Sequence, residues 1–162
     1  MTTITPFLWF DDGLRDAIQR YREVFGEVAV EADDLYPGGD TEATEPESAH
    51  TLVMEFTVLG QRVMGMNAGP HFPQTEAFSF YVRCADQAEV DRYWDGLIAG
   101  GGQESQCGWL KDPWGVSWQI VPEALERLSL DPDRAAALRV QQAMFGMQKI
   151  IVADLEAAFR GA

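Results

Sequence analysis

The chain reads as an α+β protein: two successive βαβββ modules followed by a C-terminal helical extension. Three observations carry that reading. Ile18, Tyr21 and Phe25 recur as Val90, Tyr93 and Leu97 at a constant offset of 72, within the same strand-helix-strands order. Thr51 to Leu59 alternates apolar and mixed residues with the period of a strand. Asp112-Pro113-Trp114-Gly115 is a tight-turn sequence, with proline presetting the second position and glycine relieving the fourth, and Val116 to Val121 follows as a β-branched and aromatic strand.

In order, Ile4 to Phe10 predicts a strand with Phe7 and Trp9 on one face and Leu8 and Phe10 on the other. Leu14, Ala17, Ile18, Tyr21, Val24 and Phe25 form one helical stripe ended by Gly26. Glu27 to Leu35 is a second strand, and the acidic stretch from Pro37 to Ser48 is an expected mobile loop. Leu52, Met54, Phe56 and Val58 face the helix, and Val53, Glu55 and Thr57 face away. Gly60-Gln61 suits a two-residue hairpin turn, and Arg62 to Asn67 returns as a strand. The second module opens with a strand over Ala77 to Val82. Asp86 to Glu89 forms a capping-box-like start, and a helix over 87–99 carries Val90, Tyr93, Trp94, Leu97 and Ile98. Two short strands and the closing hairpin complete it. Asp131-Pro132 is read as cap and first turn of a helix from Arg134 to Met147, and Asp154 to Phe159 as a last short helix. The expected organisation is one domain over 1–125, with modules at about 4–70 and 76–122, and an extension over 126–162 packed on that domain or on a dimer partner. Each main helix buries about five large apolar side chains, worth roughly 1.5–3 kcal/mol apiece before entropy is charged.

Composition excludes several function classes. A net charge of −14 with only 12 basic residues argues against a phosphate-binding surface, so neither nucleic acid nor an anionic membrane is an expected partner. No apolar run approaches the ~20 residues of a spanning helix. The first residues have neither the basic start nor the apolar core of a signal peptide, and Cys84 and Cys107 form no CxxC motif. A cytoplasmic protein is expected.

The Asp112–Gly115 turn, with a polar residue at 119 in the strand after it, resembles the closing hairpin of the vicinal-oxygen-chelate superfamily, which includes glyoxalase I, extradiol dioxygenases and the bleomycin and fosfomycin resistance proteins. Segments 4–10, 90–94, 107–112 and 117–122 resemble its PhnB-like branch, often labelled 3-demethylubiquinone-9 3-methyltransferase, as does the tail from Asp131 to Lys149. The resemblance implies a cupped, mostly antiparallel mixed sheet with both main helices outside. It also implies metal-ligand positions at Thr5, Ala77 and Gln119, with a fourth near Met66 or Asn67. Thr, Ala and Gln offer no imidazole, thiolate or carboxylate, so no metal and no other cofactor is expected. Nor do the residues support the methyltransferase label, because Asp11-Asp12-Gly13 is no adenosylmethionine loop and strands and helices do not alternate. The only histidines, His50 and His71, read as exposed polar residues.

With Thr5, Ala77 and Gln119 facing a cavity, alternation adds Phe7, Trp9, Ser79, Tyr81 and Ser117, together with Glu55 and Met66 or Asn67. Such an aromatic cup suits a small apolar or planar ligand held by a few hydrogen bonds. Glu55 is either a general base or a solvated edge carboxylate; Cys107 is either a nucleophile or an inert buried thiol. Two functional classes follow: a metal-independent binding protein, or an isomerase, lyase or methyltransferase working through Glu55 or Cys107. Leu138, Val140, Met144, Phe145 and Met147 lie on more than one face of the extension, and a homodimer is expected from them.

Overall fold

A computed structural model describes residues 2–35 and 52–162. The acidic stretch 37–48, His50 and Thr51 lie outside the described residues. The chain divides into two compact units, 1–74 and 75–162.

The first unit runs β1 (Phe7–Phe10), α1 (Leu14–Phe25), β2 (Val28–Asp33), β3 (Val53–Val58) and β4 (Gln61–Asn67), with sheet order β1-β4-β3-β2. The second repeats the pattern as β5 (Phe80–Cys84), α2 (Gln87–Ile98), β6 (Gln103–Glu104), β7 (Trp109–Lys111) and β8 (Ser117–Pro122), in order β5-β8-β7-β6. In each sheet the first and last strands pair in parallel and the other pairs are antiparallel. The 72-residue sequence repeat is therefore a repeat of topology.

Helix α1 buries its whole stripe, Leu14 to Phe25, on the face of its sheet that carries Leu8, Phe10, Phe56 and Val63. Helix α2 buries Val90, Tyr93, Trp94 and Leu97, and Leu110, Trp118 and Ile120 are buried in the same unit. Its start is capped as expected: Asp86 accepts from Glu89 N at 3.0 Å, and the Glu89 carboxylate accepts from Ala85 N at 2.9 Å. After the helix the backbone passes so close that a Cβ on Gly102 would sit 2.5 Å from Ile98 Cα and 2.7 Å from the Lys111 carbonyl, a space only glycine fits.

Three expectations are corrected, and one helix is unforeseen. The β3–β4 turn is Leu59-Gly60, not Gly60-Gln61: Val58 pairs with Gln61, and φ is 48° at Leu59 and 78° at Gly60. Two positive φ values make the turn whose twist matches the strands, and an exposed leucine bears the left-handed strain. Moving a two-residue turn by one position shifts the register by two, so every side chain keeps its face. The opening strands begin late, at Phe7 and Phe80, because Pro6 has no N–H for a ladder and Ala77 N donates to Thr75 Oγ1. Helix α3 (Glu123–Ser129) follows β8 directly, with Pro122 as its N-cap. Finally, α4 (Arg134–Phe145) is capped by Asp133, whose carboxylate accepts from Ala135 N and Ala136 N; Asp131 accepts from Asp133 N, one step upstream. Helix α5 (Val152–Arg160) ends the chain.

The extension belongs to the second unit. Leu125, Leu128, Val140, Ile150 and Leu155 form one buried cluster with Val121 of β8, against which Met144 and Met147 pack. Cys107 N and Gly108 N donate to the Met147 and Gln148 carbonyls at 2.8 Å. Lys149 Nζ lies 3.2 Å from Asp91 and 2.9 Å from Asp95, which fastens the tail to α2.

Candidate functional site

In each unit, one face of the sheet is filled by its helix and the other is only partly covered. On the first unit's partly covered face the register sets two rows, Phe7–Met64–Glu55 and Trp9–Met66–Val53. Phe7 is 50% exposed. Trp9 Nε1 donates to the Gly69 carbonyl at 2.7 Å, and Phe72 packs edge-on against the indole at 4.8 Å, so Trp9 is strapped by the segment after β4. Glu55 faces the cavity side and lies 3.2 Å from Arg62 on the neighbouring strand. A candidate base thus starts out ion-paired. Thr5 lies half-buried ahead of β1.

Asn67 leaves this set. It pairs with the buried Phe10, its carbonyl accepts from Leu14 N at 3.0 Å, and its amide donates to Asp12 at 3.2 Å. It caps α1 on the helix side of the sheet, while Met66 keeps the opposite face. The same contacts test the Asp11-Asp12-Gly13 turn as a cofactor loop: Gly13 N donates to Asp12 Oδ1 and Leu14 N to Asn67. Side chains of the chain itself take these donors. Adenosylmethionine does not fit this turn.

In the second unit Asp112 builds the frame. Its carbonyl accepts from Gly115 N at 2.9 Å, Oδ1 accepts from Trp114 N and Val116 N, and Oδ2 from Trp118 Nε1, each at 3.0 Å. The turn fixes the start of β8, so Ser117 and Gln119 face away from α2 while Trp118 and Ile120 face towards it. Gln119 sits in register between Trp109 of β7 and Tyr81 of β5. Its Nε2 donates to Ser79 Oγ at 2.9 Å. Ser117 is 2% exposed, and its hydroxyl has no hydrogen-bond partner among the described residues.

Tyr81 reaches sideways from this row. Its hydroxyl donates to Glu126 Oε1 on α3 at 2.7 Å, and Arg83 Nη2 lies 3.0 Å from Glu126 Oε2. Burial, then the Glu126 carboxylate, pushes the Tyr81 phenol up to about 12. The same hydrogen bonds from Tyr81 and Arg83 hold Glu126 below its ordinary value. Sequence reasoning missed Arg83 and Glu126 because their meeting depends on α3 folding back, which no local pattern signals.

Cys107 sits at a positive φ of 58° in the turn before β7, half-buried, with its backbone held by the tail. Cys84 is fully buried, and burial pushes its thiol up to about 12. Ala77 is exposed ahead of β5. Of the implied metal positions, one is therefore a side chain with no donor atom and another an amide already bonded to Ser79. Among the described residues no group of three His, Cys, Asp or Glu side chains converges. This donor set does not fit a divalent cation.

Residues 2–121 match the family model described as 3-demethylubiquinone-9 3-methyltransferase. The chain belongs to that family. Its fold resembles the PhnB protein of Bacillus cereus, which carries the same methyltransferase name, at 27% identity and a TM-score of 0.62, covering 75% of this chain and 99% of that one. It also resembles protein PA1353 of Pseudomonas aeruginosa, at 23% identity and a TM-score of 0.57, covering 75% and 98%. The fosfomycin resistance protein FosX of Listeria monocytogenes shares the fold at 12% identity and a TM-score of 0.51, covering 75% and 93%. These relationships place the chain in the vicinal-oxygen-chelate superfamily. No curated protein matches the chain. The family match ends before α3, so it does not include the tail from Asp131 to Lys149. Among the described residues no helix is long and apolar enough to cross a membrane.

Proposed function

We propose that this member of the family is a metal-independent binding protein for a small, largely apolar or planar molecule, held on the partly covered sheet faces. The observation that carries the reading is the Ser117 hydroxyl, buried and without a hydrogen-bond partner among the described residues, beside the Gln119–Ser79 hydrogen bond. An unsatisfied buried hydroxyl costs about 1–3 kcal/mol, a cost removed when the atoms covering it give way to a ligand bearing one hydrogen-bonding group. Trp109 and Tyr81 flank Gln119 in register and supply aromatic surface around these polar points. On the first unit, Phe7, Trp9 and Met66 offer a second apolar surface with Glu55 at its edge. We further propose a cytoplasmic homodimer. Because Val140 is buried and Met144 and Met147 pack on the chain's own core, its contacts fall to the edge strands and to exposed side chains such as Leu138.

The test is a thermal-shift screen with uncharged aromatic compounds, adenosylmethionine and divalent metals, repeated on Gln119→Leu and Ser117→Ala. A ligand at 100 times its Kd stabilises by about 2.7 kcal/mol, an upward shift of roughly 5–10 °C for a chain of this size. That shift is expected for an aromatic compound in the native chain and reduced in Gln119→Leu. One metal per chain removed by Gln119→Leu, or a shift with adenosylmethionine, overturns the reading.

The competing reading is an isomerase, lyase or methyltransferase working through Glu55 or Cys107, and the family's name favours the last of these. It requires Glu55 to leave Arg62 before acting as a base. Turnover lost in Glu55→Gln or Cys107→Ser, with ligand binding retained, would establish it.

A further inference from the structure

Beyond the family-matched segment, α3 and α4 close over one end of β5 and leave a groove of about 560 Å³. Its floor is the Tyr81–Glu126–Arg83 cluster. Its walls are Leu125, Leu130, Met144 and Phe145. Leu130 is 80% and Phe145 66% exposed, so two large apolar side chains stand largely open at the mouth.

The volume falls within the range of small-molecule sites, about 300–1,000 Å³. Charge decides the class of occupant. The one cation and the one carboxylate lining the groove neutralise each other, and Glu126 also accepts from the Tyr81 hydroxyl. A charged ligand would lose hydration against the apolar walls without finding an unpaired opposite charge in the lining, and an anion would also meet a chain of net charge −14. An uncharged ligand leaves the cluster intact. Ser129 and Gln141, the other polar lining residues, can meet one hydroxyl or carbonyl.

We propose that this groove, built by the C-terminal extension on the outer end of β5, is a separate binding site for an uncharged lipophilic molecule carrying a single hydroxyl or carbonyl. It goes beyond the reading above: the two share Tyr81, which flanks Gln119 in register, but the groove uses neither Ser117 nor Gln119, so the two can fail independently.

The test uses the full chain and the uncharged dye Nile red, followed by fluorescence, with 2-naphthol and 2-naphthoate as competitors at pH 7. Leu130→Glu and Phe145→Glu alter exposed side chains and leave the core intact, which far-UV circular dichroism verifies. The dye is expected to bind the native chain, with Kd at least tenfold weaker in each variant and unchanged in Gln119→Leu. Naphthol is expected to displace it at concentrations at least tenfold below naphthoate. No dye binding, equal competition by the two naphthalenes, or loss of binding in Gln119→Leu alone overturns the proposal. So does a fall in mass by light scattering in Phe145→Glu, which would make the groove a contact between two copies of the chain.

Discussion

Replacing Asp112 by alanine should cost the second unit about 3–5 kcal/mol. The carboxylate is 3% exposed and accepts three hydrogen bonds, from Trp114 N, Val116 N and Trp118 Nε1. Stranding a buried donor costs about 1–3 kcal/mol, and two of these three bonds are fully buried. Water can reach the partly buried Trp114 amide, which trims the total. Asp112→Asn is the sharper probe: its remaining oxygen can still serve the two backbone amides, but an NH₂ then faces the Trp118 indole N–H, so a loss of about 1–3 kcal/mol is expected. In a Trp118→Phe background that added loss should shrink by at least half, because the clashing donor is gone. Urea unfolding followed by tryptophan fluorescence measures all five chains, with the slope held constant across them. An alanine variant within about 0.5 kcal/mol of the parent, or an asparagine penalty unchanged by Trp118→Phe, refutes the argument. The turn sets the start of β8, so ligand binding through Ser117 and Gln119 should weaken in step with stability.

Lys149→Met should lower stability by at most about 1 kcal/mol, since both its carboxylate partners are substantially exposed. Burial opposes the charge on Lys149, but Asp95 and Asp91 outweigh it and raise its pKa; Asp91 is lowered, first by Gln87 and then by Lys149. The raised lysine contributes below its unfolded value near ~10.4 and the lowered aspartate above its own near ~3.9, so the variant's deficit should hold through neutral pH and fade at either extreme; a pH-independent deficit in urea titrations refutes the ion pair. Tyr81 should ionise late, near pH 12, and Tyr81→Phe should delete that phase from the ultraviolet titration. Its raised pKa contributes stability in full below pH ~10, lost as pH rises through about 12. Light scattering at micromolar concentration should give twice 18.0 kDa; a mass of 18.0 kDa rules out the dimer.

What was legible in the sequence was whatever a local period or a local turn dictates. The stripes of α1 and α2, the Asp86–Glu89 cap, the 112–115 turn and the 72-residue repeat all depend on residues within a few positions or on repetition. What was not legible depends on residues that behave against type or meet from afar. Leu59 adopts a left-handed conformation that its β-branchless side chain does not advertise. Pro122, which reads as a strand terminator, serves as the N-cap of a two-turn helix. Face membership along β1, β3, β4 and β8 followed from alternation and survived a misplaced turn, because the error was an even number of residues. Partners did not follow: alternation can set Tyr81 beside Gln119, but only the return of α3 brings Glu126 to its hydroxyl.

The same distinction applies to segment 90–94 and the distant tail, which meet only in the fold. Asp91 bonds to Gln87 and to Lys149, while Gln87 donates to the Ile150 carbonyl and accepts from Val152 N at 2.8 Å. The polar residues of α2 therefore act as the socket for the extension, and the apolar residues between them face its sheet. Once the tail is seated there, Ile150 fills the space beside Gly108, where a Cβ would meet the Ile120 carbonyl at 2.9 Å and Ile150 Cγ1 at 3.1 Å. Gly108 stands between Ile150 and β8, its carbonyl accepting from Ile120 N, next to Gln119, at 2.8 Å. The extension thus reaches the candidate site through its scaffold, and exchanging Gly108 for alanine should disturb both the tail and the ligand-facing row at once.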